Sequence, residues 1–166
     1  MKLIQRHATI SPCGKYRYLL TREWTDPLLM PTRACSLAFI MLNPSTADGM
    51  VDDPTIRRCM NFARREGYYG IAVVNLFAYR ATDPKTVCFA KDPVGPNNDD
   101  YIKRCLSYGD VIAAWGSEVF ARSRAREVQK MLAGVAIKCL GMNKDGSPKH
   151  PLYVPKNTLF TPWSGQ

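Results

Sequence analysis

The chain is short of histidine, with His7 and His150 alone among 166 residues, and it contains no run of about 18 apolar residues. The missing apolar run excludes a helical membrane span. The opening heptapeptide from Met1 to His7 also lacks the apolar core of about 7–15 residues that defines a signal peptide. A cytoplasmic location is therefore expected. Six cysteines are present (Cys13, Cys35, Cys59, Cys88, Cys105 and Cys139), but no two form a C-x-x-C pair. Metal and cluster ligands usually come in such close pairs, so free thiols serving as small hydrophobes are expected. Acidic residues are also few: 14 Asp and Glu face 23 Lys and Arg, a net charge of +9. Asp48, Asp52 and Asp53 lie close together, but no Glu or His completes a metal site around them, and no metal or other cofactor is expected.

The positive balance favours a polyanionic partner through counterion release. It is spread along the chain: Arg57, Arg58, Arg64 and Arg65 form one group, and Arg122, Arg124 and Arg126 another. Arg57, Arg58, Arg122, Arg124 and Arg126 are the candidates for contact with a DNA backbone. Either group is equally well read as the solvated face of a helix.

No repeat, low-complexity segment or linker interrupts the sequence, and residues 1–166 read as one domain. Residues 8–24 read as two short strands around the turn-forming Ser11-Pro12-Cys13-Gly14. The apolar run from Ser36 to Leu42 reads as a strand buried on both faces. Asp53-Pro54 then supplies an N-cap and a proline in the first turn, and Gly67 a stop, for a helix with Ile56, Cys59 or Met60, and Ala63 on its inner side. Further strands are expected at 70–76, 111–115 and 135–140, with helices at 99–107 and 118–132. Alternation of this kind predicts an α/β fold: a four-stranded parallel sheet sandwiched by helices, with a β-hairpin added at the N-terminus.

Ligands bind beyond the carboxyl ends of the strands in such sheets. Asn43, Asn75, Trp115 and the His150 segment fall there. Pro44 biases Asn43 toward extended geometry and so fixes the direction of its amide, although Asn-Pro is also a common turn. Asn75 offers one donor and one acceptor, enough to read a base edge, or to serve as an ordinary strand-end amide. His150 has the chemistry of a general acid or an oxyanion donor, and Trp115 of core packing or a pocket wall.

In order along the chain, these segments resemble the motifs of the uracil-DNA glycosylase superfamily. Leu42-Asn43-Pro44-Ser45-Thr46 after its strand is similar to the Asn-Pro motif of the mismatch-specific branch. The strand ending in Asn75 resembles the one that carries the base-reading asparagine. Ala114-Trp115-Gly116-Ser117 is similar to the Leu-Trp-Gly strand end, and His150-Pro151-Leu152 to the His-Pro-Ser-Pro-Leu motif. Met41 stands where the first motif has glycine, and the last motif lacks its serine and second proline. The chain also resembles a bacterial and phage family of unassigned function with a Leu-Asn-Pro-Ser-Thr-Ala-Asp signature.

The first resemblance implies hydrolysis of the N-glycosidic bond of a damaged or modified base flipped from DNA. Asn43 would place the water and His150 would stabilise the departing base. Asn75 would read the base, with Leu42, Pro44, Ser45, Thr46 and Trp115 around it and Phe77 or Tyr79 stacked on it. The alternatives are binding or sequestration of a free or modified nucleotide without cleavage, and hydrolysis of a small nucleotide's glycosidic bond.

Overall fold

The computed structural model describes residues 2–25, 36–45 and 50–165, with side chains from residue 5 onward. Thr46, Asp48 and Cys35, all singled out above, lie outside the described residues. Among the described residues, seven strands form one mixed sheet in the order β1-β2-β4-β3-β5-β6-β7. They are β1 (Lys2–Ile10), β2 (Arg17–Thr25), β3 (Leu37–Met41), β4 (Gly70–Asn75), β5 (Val111–Ala113), β6 (Ile137–Cys139) and β7 (Thr161–Pro162). The helices are α1 (Pro54–Arg65), α2 (Asn98–Arg104) and α3 (Arg122–Met131).

The centre of the sheet, β4-β3-β5-β6, is parallel. Its strands are short and apolar because both faces are covered; every residue of β3, β4 and β5 is buried. On one face Leu37, Phe39, Ile71 and Val73 pack with Ile56, Cys59, Met60 and Ala63 of α1. On the other, Ala38, Ile40, Val74 and Val111 pack with Ile102 of α2 and with Ala125 and Val128 of α3. The Asp53 carboxylate caps α1 by accepting from Ile56 N at 2.8 Å, and Gly67, at φ +80°, lets the chain leave it. Gly70 opens β4 where a Cβ would lie 2.4 Å from Ser36 Oγ and 3.0 Å from the backbone Arg22 O of β2, so a side chain there would force its neighbours to shift.

The four-stranded expectation holds for the parallel part alone; among the described residues the whole sheet has seven strands. The hairpin does not stand apart, because β2 pairs antiparallel with β4, Leu20 opposite Val73, and continues the sheet. At the other edge β7 pairs with β6 through Lys138 opposite Pro162. A two-residue strand containing proline carries no periodic signal.

Sheet order also locates a crevice. From β3 the chain crosses to β4 on one side, then returns over β3 to reach β5 on the other. Ligand sites in open α/β sheets form outside the strand ends at such a switch point.

No helix among the described residues is long and apolar enough to cross a membrane. Cys59, Cys105 and Cys139 are buried free thiols, while Cys13 and Cys88 are exposed ones. Burial pushes the Cys59 thiol up and that of Cys105 to about 12, so both are un-ionised packing groups.

Candidate functional site

A crevice of about 350 Å³ opens at the switch point, at the small end of the range of about 300–1,000 Å³ for ligand pockets. Met41, Leu42, Asn43 and Ser45 enter it from the end of β3, Asn75 from the end of β4, and Trp115 from just beyond β5. Pairing of β3 with both neighbours therefore brings three separate sequence motifs to one place.

Asn75 is the most unusual residue there. It is 1% exposed, and neither its amide nitrogen nor its carbonyl oxygen has a hydrogen-bond partner among the described residues. A buried polar group left unpaired costs about 1–3 kcal/mol. Its backbone, by contrast, is firmly held. Asn98 Nδ2 donates to Asn75 O at 2.9 Å and to Leu76 O at 3.1 Å, and Arg124 Nε donates to Leu76 O at 3.0 Å. The carboxamide is thus fixed in place with its bonding capacity unspent.

Asn43 is already employed. Its Nδ2 donates to Ala81 O at 2.9 Å and to Pro44 O at 3.1 Å, so the amide ties the β3 exit to the loop after β4. Its Oδ1 accepts no hydrogen bond from the described residues and remains available on the wall of the crevice. Pro44 is buried behind this wall, its carbonyl also accepting from Ala81 N at 2.9 Å. Ser45 Oγ donates to Asp53 Oδ2 at 2.6 Å. With Ile56 N on Oδ1, both Asp53 oxygens are in use.

His150 arrives on a short loop pinned by Asn143, whose Nδ2 donates to Ser147 Oγ at 3.0 Å, and by Gly116 N, which donates to Pro148 O at 3.0 Å. Gly116, at φ +83°, makes the turn that lets this loop lie against the end of β5; a Cβ there would sit 3.7 Å from His150 Cβ. The ring nitrogen Nδ1 accepts from Leu152 N at 3.3 Å, which places the proton of the neutral ring on Nε2. Burial holds the His150 pKa below its ordinary value, with the Asp53 charge pulling weakly the other way. The group is a neutral donor at pH 7.

Trp115, 3% exposed, meets Trp163 edge-on at 4.9 Å and forms part of both core and crevice. Phe77 and Tyr79 are not brought to the crevice, and their stacking role is corrected. Phe77 faces the core against Phe120 at 5.7 Å, and Tyr79 packs edge-on against Tyr16 at 6.1 Å. Tyr153 stands at the mouth instead, 83% exposed and 5.4 Å from the His150 ring. Arg17, Glu118 and Lys149 also line the crevice and escaped sequence reasoning. Only Arg17 left a trace in the sequence, as a cation near the start of a strand.

The basic groups need correction too. Arg124 is 6% exposed and bonds Asp99 and Glu127 besides Leu76 O, so it is part of the frame and not a surface contact. Arg58 donates to Pro151 O and Val154 O, binding the His150 loop to α1. Arg57 and Arg126 are exposed, and Arg122 is half-exposed with Asp145 at 3.0 Å. Asp52, considered above beside Asp53, pairs with the buried Arg22 at 2.6 Å and with Arg6 at 3.3 Å. Among the described residues no group of three or more His, Cys, Asp or Glu is placed to hold a metal ion.

Fold and site together define a mixed α/β protein with a crevice at the carboxyl ends of a parallel sheet core. A family model described as "Protein of unknown function (DUF1643)" matches residues 17–152, and the chain belongs to that family. Comparison with curated proteins and with solved structures finds no match.

Proposed function

We propose that the crevice binds a nucleobase and that the protein is a DNA glycosylase-like hydrolase acting on a damaged or modified base. One observation carries this reading: the buried, unpartnered carboxamide of Asn75 on the crevice wall. A planar ligand with an adjacent donor and acceptor satisfies both of its groups at once, and a base edge has that pattern. The motif order that resembles the uracil-DNA glycosylase superfamily supports the same reading. Asn43 Oδ1 would orient the attacking water and His150 Nε2–H would donate to the departing base. Tyr153 at the mouth would stack on the base or its neighbour. DNA would approach over Arg57 and Arg122.

A second reading is favoured by the state of the acids. Asp53 is engaged as the cap of α1 by Ile56 N and Ser45 Oγ, and the Asn43 amide cannot act as a base, so no carboxylate in the crevice stands free of a structural role at the end of β3. On that basis the crevice would hold a free or modified nucleotide without cleaving it.

The test is a panel of duplexes with different damaged and modified bases, scored for alkali-labile sites, beside equilibrium binding of the matching nucleotides at several salt concentrations. Base release that disappears in Asn75→Leu supports the glycosylase. Salt-insensitive nucleotide binding without release supports the second reading. Neither release nor binding refutes both.

A further inference from the structure

Glu118 lines the crevice from just past the end of β5. β5 is the parallel neighbour of β3, with Ala113 alongside Ile40, so Asn43 and Glu118 follow adjacent strands to the same space. Gly116, at φ +83°, turns the chain, and Glu118 then opens the helical turn Val119–Ala121, its carbonyl accepting from Ala121 N at 3.0 Å. That bond fixes its backbone. The carboxylate, by contrast, makes no capping bond, and neither a hydrogen bond nor an ion pair with any described residue.

Hydrolysis needs an acceptor for a proton of the attacking water. Among the described residues on the crevice wall the choice is narrow. Asp53 and Glu118 are the acids there, and Asp53 is held as the cap of α1 by Ile56 N and Ser45 Oγ. The Asn43 amide is not a base. His150 has Nδ1 engaged by Leu152 N, and the proton of its neutral ring sits on Nε2. Arg17 and Lys149 are donors without acceptor atoms. Glu118 has an acceptor with no structural duty, and its exposure gives that acceptor proton exchange with solvent.

Resting on the glycosylase reading above, we infer that Glu118 is the general base that activates the water for base release. In this step the water oxygen bonds to the anomeric carbon of the sugar, the carbon–nitrogen bond to the base breaks, and its electron pair leaves with the base. One water proton passes to the Glu118 carboxylate and on to solvent, and the released base takes up one proton from solvent. The acid thus enters after β5, and not after β3 where Asn43 stands.

Single-turnover base release by the full chain tests this on the panel of duplexes with damaged and modified bases, with duplex affinity measured alongside. Glu118→Gln and Glu118→Ala each change an exposed, unbonded side chain, so both variants should fold as the parent does. On a duplex from which the parent releases base, Glu118→Gln should slow release by about a hundredfold or more, with Kd within about threefold of the parent. Added formate, a small carboxylate, should speed Glu118→Ala by about tenfold or more, an effect that loss of a merely structural contact does not produce. Release by Glu118→Gln within about threefold of the parent rate, or a slow Glu118→Ala that formate leaves unchanged, overturns the assignment but leaves the glycosylase reading intact. No release by the parent from any duplex overturns the assignment and the glycosylase reading together.

Discussion

At the residue scale, Asn43 and Asn75 look alike in sequence, each closing an apolar strand, and the structure separates them by what their amides already do. Asn43 spends its NH₂ on Ala81 O and Pro44 O, whereas the Asn75 amide bonds none of the described residues. Opposite stability effects follow. Asn43→Ala should destabilise the protein by about 1–3 kcal/mol in urea unfolding, because buried acceptors lose their donor. Asn75→Leu should leave the unliganded protein as stable as before or more so, since it replaces an unsatisfied buried group with an apolar one of similar size. An Asn75→Leu variant that unfolds more readily would mean that the amide has a structural partner. His150 gives a pH signature. Its folded pKa lies below the ordinary 6.5, so between the two values the unfolded chain binds more protons than the folded one. Stability therefore falls as pH is lowered through that window, and His150→Phe should remove this part of the decline in urea titrations between about pH 8 and pH 5. The sequence marked both asparagines and the histidine as candidates. It was silent on which amide is free, because that depends on carbonyls 38 positions away, as Ala81 is from Asn43.

At the element scale, local chemistry was readable wherever a cap or stop was present. Asp53-Pro54 and Gly67 bounded α1 to within a residue or two, since capping bonds are short-range. Edge strands were not readable, because β7 exists only through the partner that β6 offers it. The basic face of α3 misled for a related reason. Beyond the end of β4 the carbonyl of Leu76 is left over from the ladder, and Arg124 turns inward to bond it together with Asn98. Sequence periodicity counts an arginine as surface and has no knowledge of a spare carbonyl on another element. Arg124→Ala should accordingly cost about 1.5–3 kcal/mol, the range for hydrogen bonds made by a charged group, and lower the Tm. Arg126→Ala, two residues and about half a turn further along, on the exposed side, should leave the Tm unchanged. Equal melting behaviour of the two variants would contradict the assignment of Arg124 to the frame.

At the scale of the whole molecule, the parallel core and its crevice were legible because buried strands are continuous apolar runs and ligand sites follow strand ends. The merging of the hairpin into the sheet was not, since nothing in 8–24 says which strand edge it will meet. Charge belongs to this scale as well. With a net +9, binding to DNA should weaken steeply with salt, and removing Arg57 and Arg122 together should make that dependence shallower. A slope unchanged by the double substitution would exclude those residues as the DNA face. The central claim is that Asn75 waits for a base, and its side-chain NH₂ can report on this directly. Protein labelled with ¹⁵N at asparagine, with the Asn75 signal identified by its loss in Asn75→Leu, is titrated with uridine, xanthosine, cytidine and a short single strand carrying deoxyuridine. The Asn75 NH₂ resonances should move downfield with at least one of these ligands, as a new hydrogen bond forms. If the other crevice signals move and this pair stays fixed, or if none of the ligands perturbs the crevice, the account is wrong at its centre.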